Sequence, residues 1–351
     1  YTQMGDIANE LNYYRDQLKD KVIFCNCDDP FESNFFRFFA ENFNALGIKR
    51  LIATSYNPSP IANSQLGLFG DDISLTPKKG RPKVTANAFL INEVQDLNGD
   101  GAIDRRDIAE KLKANKNNEW RPLEGDGDFR SEECVELLKQ ADIVITNPPF
   151  SLFREYVAQL VEHDKKFLII GNTNAITNRD IFKLIKDNKF RTGNTNFNVG
   201  MLFEVPDNFE HYHHLDKGTG KKIARVSTAC WYTNMDVAKH HQEVPLWKSY
   251  SPEEFPTYDN YGAIEVKTYK EIPKDYFGIM GVPITFLDKY NPNQFDIIWQ
   301  GSGNTRASAP PEILEELQYK KHPEDRGGCA VIDGKRKYSR LFIKRRKYHE
   351  N

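Results

Sequence analysis

The sequence predicts an α/β protein: a doubly wound sheet closed by an antiparallel hairpin, with a smaller α+β region behind it. Two stretches carry this prediction. Residues 21–27 and 49–54 are short apolar runs separated by an aromatic run of helical spacing at 34–43, the strand, helix, strand unit of a parallel sheet. The same alternation resumes at 131–187, and 199–205 and 225–233 then supply two strands with no helical pattern between them, which predicts the closing hairpin.

In chain order, residues 6–18 place Ile7, Leu11, Tyr14 and Leu18 at helical spacing and stop at Lys19-Asp20-Lys21. Asp28, Asp29 and Pro30 end the first strand. Residues 56–80 are rich in Pro, Ser and Gly and read as a long loop. Helices are expected at 131–139, 153–162 and 180–187, and strands at 142–146 and 167–171. Beyond about Trp247 the pattern changes to prolines, tyrosines and short irregular strands, ending in a basic stretch at 335–347. The expected domains are therefore 1–245, interrupted by an insertion at about 92–117, and 246–351. No internal repeat is visible.

Composition narrows the function classes. Lysine and arginine total 48 against 50 acids, so a nucleic acid would need a local basic surface and not an overall positive field. The five cysteines (Cys25, Cys27, Cys134, Cys230, Cys329) lack zinc spacing and sit mostly in strand-like runs, as reduced thiols of a cytoplasmic protein would. No stretch approaches the roughly 20 apolar residues that cross a bilayer, and no targeting signal opens the chain. A soluble, intracellular protein is expected, and Tyr1 in place of Met is compatible with a preceding natural segment.

The chemistry centres on residues 141–150, ADIVITNPPF, where a buried strand runs directly into Asn147, Pro148, Pro149 and Phe150. The carboxyl edge of an open α/β sheet is where such folds bind ligands. Prolines lack an N–H and fix φ, so this loop offers carbonyl acceptors beside the Asn147 amide. Acceptors suit an exocyclic amine. An amino nitrogen of adenine has its lone pair delocalised into the ring; accepting both its N–H bonds, at Asn147 Oδ1 and the Pro148 carbonyl, favours pyramidalisation and in-line attack on a sulfonium methyl. Phe150 would stack on a base that has left its duplex. A strand ending in a Pro-Pro turn is the bland alternative.

With this motif, the chain resembles the gamma-type adenine-N6 DNA methyltransferases, and more narrowly the EcoRI-type adenine-specific family. The likeness covers nearly the whole chain. It rests on KVIFCNCDDP at 21–30, NFF at 34–36, LIATSY at 51–56, EGDGDFRS at 124–131, ITNPPFSLFREY at 145–156, CWYTNM at 230–235 and GVPITFLDKYNPNQF at 281–295. The resemblance implies a Rossmann-like class I methyltransferase sheet, S-adenosylmethionine as cofactor, and methylation of adenine N6 at a short specific site in double-stranded DNA. It implies a DNA-recognition role for 246–351. A monomer suffices for this activity, and a companion restriction endonuclease fits it without being inferable from the residues.

The resemblance also implies the cofactor residues. The loop after the first strand, glycine-rich in such enzymes, here reads Asn26, Cys27, Asp28, Asp29, Pro30; Asp28 or Asp29 would hold the ammonium group, or else cap the next helix. Asp128 would accept from the cofactor adenine and Phe129 pack on its face, a plain Gly-Asp turn being the alternative. The second strand ends in Thr54, Ser55 and Tyr56 where an acid usually holds the ribose; Thr54 is expected among the cofactor contacts, and the ribose ligand is left open among the three. Tyr1 and Thr2 fall where the family's N-terminal cofactor segment lies, unless they are a frayed end.

Two further patterns stand apart. Residues 96–107, DLNGDGAIDRRD, match an EF-hand-like loop with ligands at Asp96, Asn98, Asp100, the Ala102 carbonyl, Asp104 and Asp107, and predict structural calcium; an unmetallated turn is the alternative. Lys78, Lys79 and Arg81 in the long loop, and Arg340, Lys344, Arg345 and Arg346 near the end, are the candidate phosphate contacts, against a solvated charged tail. His211, His213 and His214 read as an exposed loop.

Overall fold

The computed structural model describes residues 1–27, 33–56, 86–94, 112 and 114–347. The chain forms two compact units, one of Tyr1–Asn172 with Val199–Met235, the other of Thr173–Asn198 with Asp236–Asn351.

Strands are numbered along the chain. In the first unit they are β1 (Val22–Cys25), β2 (Arg50–Thr54), β3 (Asn87–Ile91), β4 (Glu119–Pro122), β5 (Ile143–Thr146), β6 (Lys166–Asn172), β8 (Met201–Val205), β9 (His214–Leu215), β10 (Lys222–Val226) and β11 (Ala229–Thr233). Within this unit the main sheet runs β4-β3-β2-β1-β5-β6-β11. Its centre is parallel, with Ile23 opposite Leu51 on one side and Ile143 on the other, and Ile145 opposite Leu168. β1 and β5 are buried along their whole length, because a central parallel strand is covered on both faces. From β1 the chain builds outward through β2 and returns to the other side of β1 as β5. The strand order therefore reverses between β1 and β5, the place where an open sheet leaves a crevice at its carboxyl edge.

Helices cover this sheet as the periodicity predicts. Asn34–Glu41 begins at Ser33, whose Oγ accepts from the amides of Phe35 and Phe36 at 3.1 and 3.4 Å. Glu132–Gln140 is capped in the same way by Ser131, and Phe153–Glu162 occupies the expected residues. Residues 6–18 form Met4–Leu11 and Arg15–Leu18 with a 3-10 turn between them.

The fold departs from the sequence reading at three places. The antiparallel strands β3 and β4, pairing outward from β2, were not located by the apolar pattern of the sequence. The closing hairpin is divided: 225–233 breaks at residues 227–228, so only β11 joins the main sheet, antiparallel to β6, while β8 pairs with β10 in a separate three-stranded sheet, β8-β10-β9. The second unit begins earlier than residue 246 and includes 173–198.

The second unit contains β7 (Arg191–Thr192), β12 (Ile264–Glu265), β13 (Met280–Pro283), β14 (Phe295–Gly301), β15 (Val331–Ile332), β16 (Lys335–Arg336) and β17 (Arg340–Arg345). Its principal sheet runs β12-β13-β17-β14. The helix Arg179–Lys186, expected to cover the main sheet, belongs here instead. Its Phe182 ring meets Trp299 edge-on at 5.0 Å, and the Thr177 carbonyl before it accepts from Gln300 and Asn304. An amphipathic helix packs on whichever apolar face reaches it, which spacing alone does not tell. Among the described residues, no helix is long and apolar enough to cross a membrane.

Candidate active site

The carboxyl edge of the first unit opens into a cavity of about 690 Å³, within the range of small-molecule sites. The loop after β5 contributes Asn147, Pro148, Pro149 and Phe150, and the loop after β1 contributes Cys27. Gly127, Asp128 and Phe129 arrive from the loop beyond β4, and Tyr1 and Thr2 from the start of the chain. Residues far apart in sequence thus meet at the switch point between β1 and β5.

Pro149 is extended (φ −58°, ψ 124°), and its carbonyl accepts from the Leu152 amide at 3.0 Å, which starts the 3-10 turn Phe150–Leu152. Pro148 is buried, Asn147 half-buried and the Phe150 ring 39% exposed. Among the described residues, no group donates to the Asn147 side chain or to the Pro148 carbonyl. The two acceptors remain available to a ligand.

Asp128 is set by its neighbours. The Glu133 carboxylate accepts from the amides of Glu124 and Gly125 at 2.7 and 3.2 Å, and Asp126 accepts from the Asp128 amide. Gly127 lies against the end of β2 with φ +79°; a Cβ there would stand 2.0 Å from the Ser55 carbonyl oxygen, so only glycine fits. Arg130 donates to both Asp128 carboxylate oxygens at 2.8 and 2.9 Å, and this hydrogen bonding holds the carboxyl below the ordinary aspartate value. Asp128 is therefore an ionised acceptor. Phe129 is buried and meets Tyr156 edge-on at 5.0 Å.

The loop after β1 dispenses with glycine in an unusual way. Cys27 itself adopts the left-handed conformation (φ +62°), where a side chain is strained, and the residue lines the cavity. Asn26 does not line it. Its backbone carbonyl accepts from the Thr146 hydroxyl and its side-chain oxygen from the Tyr156 hydroxyl, so Asn26 is a buried fastener behind the lining. Thr54 is likewise fully buried and outside the lining; Tyr56, two residues on, reaches the cavity.

Tyr1 and Thr2 are not frayed. Thr2 bridges Phe203, the Glu204 amide donates to the Tyr1 carbonyl at 2.8 Å, and Asn34 Nδ2 donates to the Thr2 carbonyl at 2.7 Å. The first residues thus extend the edge of β8 and close one wall.

Sequence reasoning missed several of the lining residues. Asn34 and Phe35 stood inside the NFF likeness, and Ser33 just before it was a readable N-cap signal. Phe203 and Val226 carry no linear signal, because they reach the cavity only through the separate sheet. Asp28, Asp29, the ligand set Asp96, Asn98, Asp100, Ala102, Asp104 and Asp107, and the basic residues Lys78, Lys79 and Arg81 lie outside the described residues.

The C-terminal basic residues, all in the second unit, are mostly engaged. Arg340 donates to both carboxylate oxygens of Glu265, the shortest contact 2.6 Å, with both side chains largely buried. Arg346 pairs with Asp296 at 2.6 Å, and Arg345 donates to the Lys274 carbonyl and lies over the Phe277 ring. Lys344 is exposed. β17 is thus an internal strand, with Leu341, Phe342 and Ile343 fully buried, and not a basic face laid against solvent.

Comparison with known proteins adds a second line of evidence. Residues 1–346 match the family model described as adenine-specific methyltransferase EcoRI. The chain belongs to the EcoRI adenine-specific methyltransferase family. It is 44% identical over 304 residues to the type II methyltransferase M.EcoRI of Escherichia coli, covering 85% of this chain and 84% of that one. It is 37% identical to the type II methyltransferase M.MpnI of Mycoplasma pneumoniae, covering 99% and 94%, and 32% identical to M.MgeORF184P of Mycoplasma genitalium, covering 98% and 94%. No solved structure matches the chain.

The lining also fits the cofactor that membership of this family implies. An ionised acceptor at Asp128, the aromatic rings of Phe35, Tyr56 and Phe129, and the left-handed backbone at Cys27 suit a nucleoside with a charged amino-acid part. Such a ligand buries a flat apolar face and needs few, well-placed polar partners.

Proposed function

We propose that this chain is a site-specific DNA methyltransferase that modifies the exocyclic amine of adenine. The observation that carries the reading is the convergence of Asn147, Pro148 and Phe150 with Cys27, Asp128 and Phe129 on one cavity at the strand-order reversal. S-adenosylmethionine, when bound, supplies an electrophilic methyl group on a sulfonium sulfur.

The chain's own residues do the rest by positioning. Asn147 Oδ1 and the Pro148 carbonyl accept the two amine hydrogens, which localises the nitrogen lone pair and aims it. Phe150, with its ring partly exposed, stacks on a base that has swung out of the duplex. Asp128 would accept from the cofactor's adenine, Phe129 would pack beside it, and Cys27 and the Tyr1–Thr2 segment would enclose the remainder. The transfer would need no covalent enzyme intermediate: a nitrogen–carbon bond would form as the carbon–sulfur bond breaks, the sulfur leaving as a neutral thioether and the methylated nitrogen giving up one proton to water. A DNA substrate fits a cytoplasmic, DNA-associated protein of bacterial or phage type, and a type II role makes the mark protective against a companion endonuclease. A structural calcium ion at 96–107 is a separate part of the proposal, supported by ligand spacing alone.

Tritiated cofactor offered with DNA, RNA and protein tests the reading. Label in DNA adenine is the expected result. Label confined to RNA or protein would overturn it, and long-read sequencing of DNA modified in cells names the site.

A further inference from the structure

The three-stranded sheet β8-β10-β9 does more than close the cavity. Residues directly opposite in antiparallel strands share a face, and alternate residues along a strand do too. One face therefore carries Met201 with Val226, Phe203 with Ala224, and Val205 with Lys222 and Leu215. Phe203 and Val226 of that row line the cavity. The same row continues from them to an edge where Leu215 is 49% exposed, beside Phe209 and Tyr212 at 43% and 41%.

These rings are held. Lys222 Nζ donates to the carbonyls of Asp207 and Phe209 at 2.5 and 3.0 Å and lies 5.1 Å from the centre of the Tyr212 ring. The ammonium group is thus occupied in fixing the 206–213 loop, while about two-fifths of each aromatic residue stays exposed. Leaving fixed apolar surface exposed is unfavourable unless a partner covers it.

The charge of the region selects among partners. Lys217, Lys221, Lys222 and Arg225 are balanced by Glu204, Asp207, Glu210 and Asp216; Lys221 pairs with Glu204, and Asp216 is spent on the Gly218 and Thr219 amides. Such a surface is poor for phosphates and good for the flat faces of bases.

We propose that Phe209, Tyr212 and Leu215 form a stacking surface for the DNA bases next to the extruded adenine. The inference rests on the DNA-methyltransferase reading. Extruding a base leaves its neighbours unstacked, and apolar side chains that cover them recover part of that cost. Continuity of one sheet face with the cavity wall sets this surface beside the path of the strand that enters it.

The test uses the full chain and a duplex containing its methylation site. Phe209→Ala, Tyr212→Ala and Leu215→Ser are compared with wild type for cofactor affinity, duplex affinity across a salt series, and methyl transfer. Loss of one stacked ring is expected to weaken duplex binding about tenfold, with cofactor affinity unchanged. Since no phosphate contact is removed, the dependence of affinity on salt keeps its slope. A duplex mismatched at the target adenine, already partly unstacked, should show a smaller defect. Variants with wild-type duplex affinity and transfer would overturn the surface, as would a reduced salt slope, which marks phosphate contacts, or a loss of self-association on sedimentation at unchanged duplex affinity, which marks a second copy. A wild-type chain that labels no DNA would overturn the underlying reading and not this surface alone.

Discussion

The Tyr156 hydroxyl donates to the side-chain oxygen of Asn26, joining the helix that follows the Asn147–Phe150 loop to the end of β1 across 130 residues of sequence. The Thr146 hydroxyl makes a second tie, to the Asn26 carbonyl. The loop that is to hold the amine and the loop that is to hold the cofactor are fastened at one buried residue.

Tyr156→Phe removes one tie and leaves a buried acceptor unsatisfied. A loss of about 1–3 kcal/mol in stability is expected, measured by urea unfolding. Turnover should fall alongside weaker cofactor binding, because both loops lose their common reference.

Asn147→Ala should separate these quantities. Its side chain holds nothing else among the described residues, so folding and cofactor affinity are expected to stay near wild type. Turnover should drop by about 2.7–4 kcal/mol of barrier, the usual worth of one positioned transition-state partner. Single-turnover kinetics against calorimetric cofactor affinity checks the split, and unchanged turnover refutes the role.

The backbone at Cys27 and Gly127 gives opposite expectations. Relieving a left-handed residue is worth about 1–2 kcal/mol, while glycine costs roughly 0.5–1 kcal/mol in chain entropy. Cys27→Gly should therefore be neutral to slightly stabilising, read as an unchanged or raised thermal midpoint. Gly127→Ala drives a Cβ into the Ser55 carbonyl, so cofactor binding should be lost with a clear drop in midpoint.

Asp128 supplies the pH dependence. Its folded pKa is depressed, chiefly by the Arg130 hydrogen bonds, so its contribution to stability is fully present above the ordinary value of 3.8 and disappears as pH falls through the lower folded value. Cofactor affinity should accordingly survive into mildly acid solution. In Arg130→Met the carboxyl returns upward, and affinity should begin to fall at higher pH than in wild type, as titration calorimetry over a pH series would show.

In the second unit, Arg340→Ala should behave as a stability mutant. Breaking a buried pair strands the Glu265 charge and typically costs about 3–5 kcal/mol, visible in urea unfolding. Lys344→Ala, at an exposed position, should leave stability intact; if Lys344 touches phosphate, the salt slope of DNA binding should fall by about one unit.

Local chemistry made much of this molecule readable. Apolar runs at 143–146 and 22–25 and the Pro-Pro stop after Asn147 act within a few residues, so the strands of the parallel centre and the Asn147–Phe150 loop at its edge followed from sequence alone. Family likeness brought Asp128, Phe129, Tyr1 and Thr2 to the same place.

Only the tertiary structure decided which of those residues face the cavity and which face inward. Asn26 turns to Tyr156, and Thr54 yields to Tyr56. Arg340 is consumed by Glu265, the helix Arg179–Lys186 joins the second unit, and Phe203 and Val226 arrive through a sheet that spacing could not separate from the main one. Each of these depends on a partner tens to more than a hundred residues away, and a periodicity of two or 3.6 residues specifies that a face is apolar without specifying what will cover it.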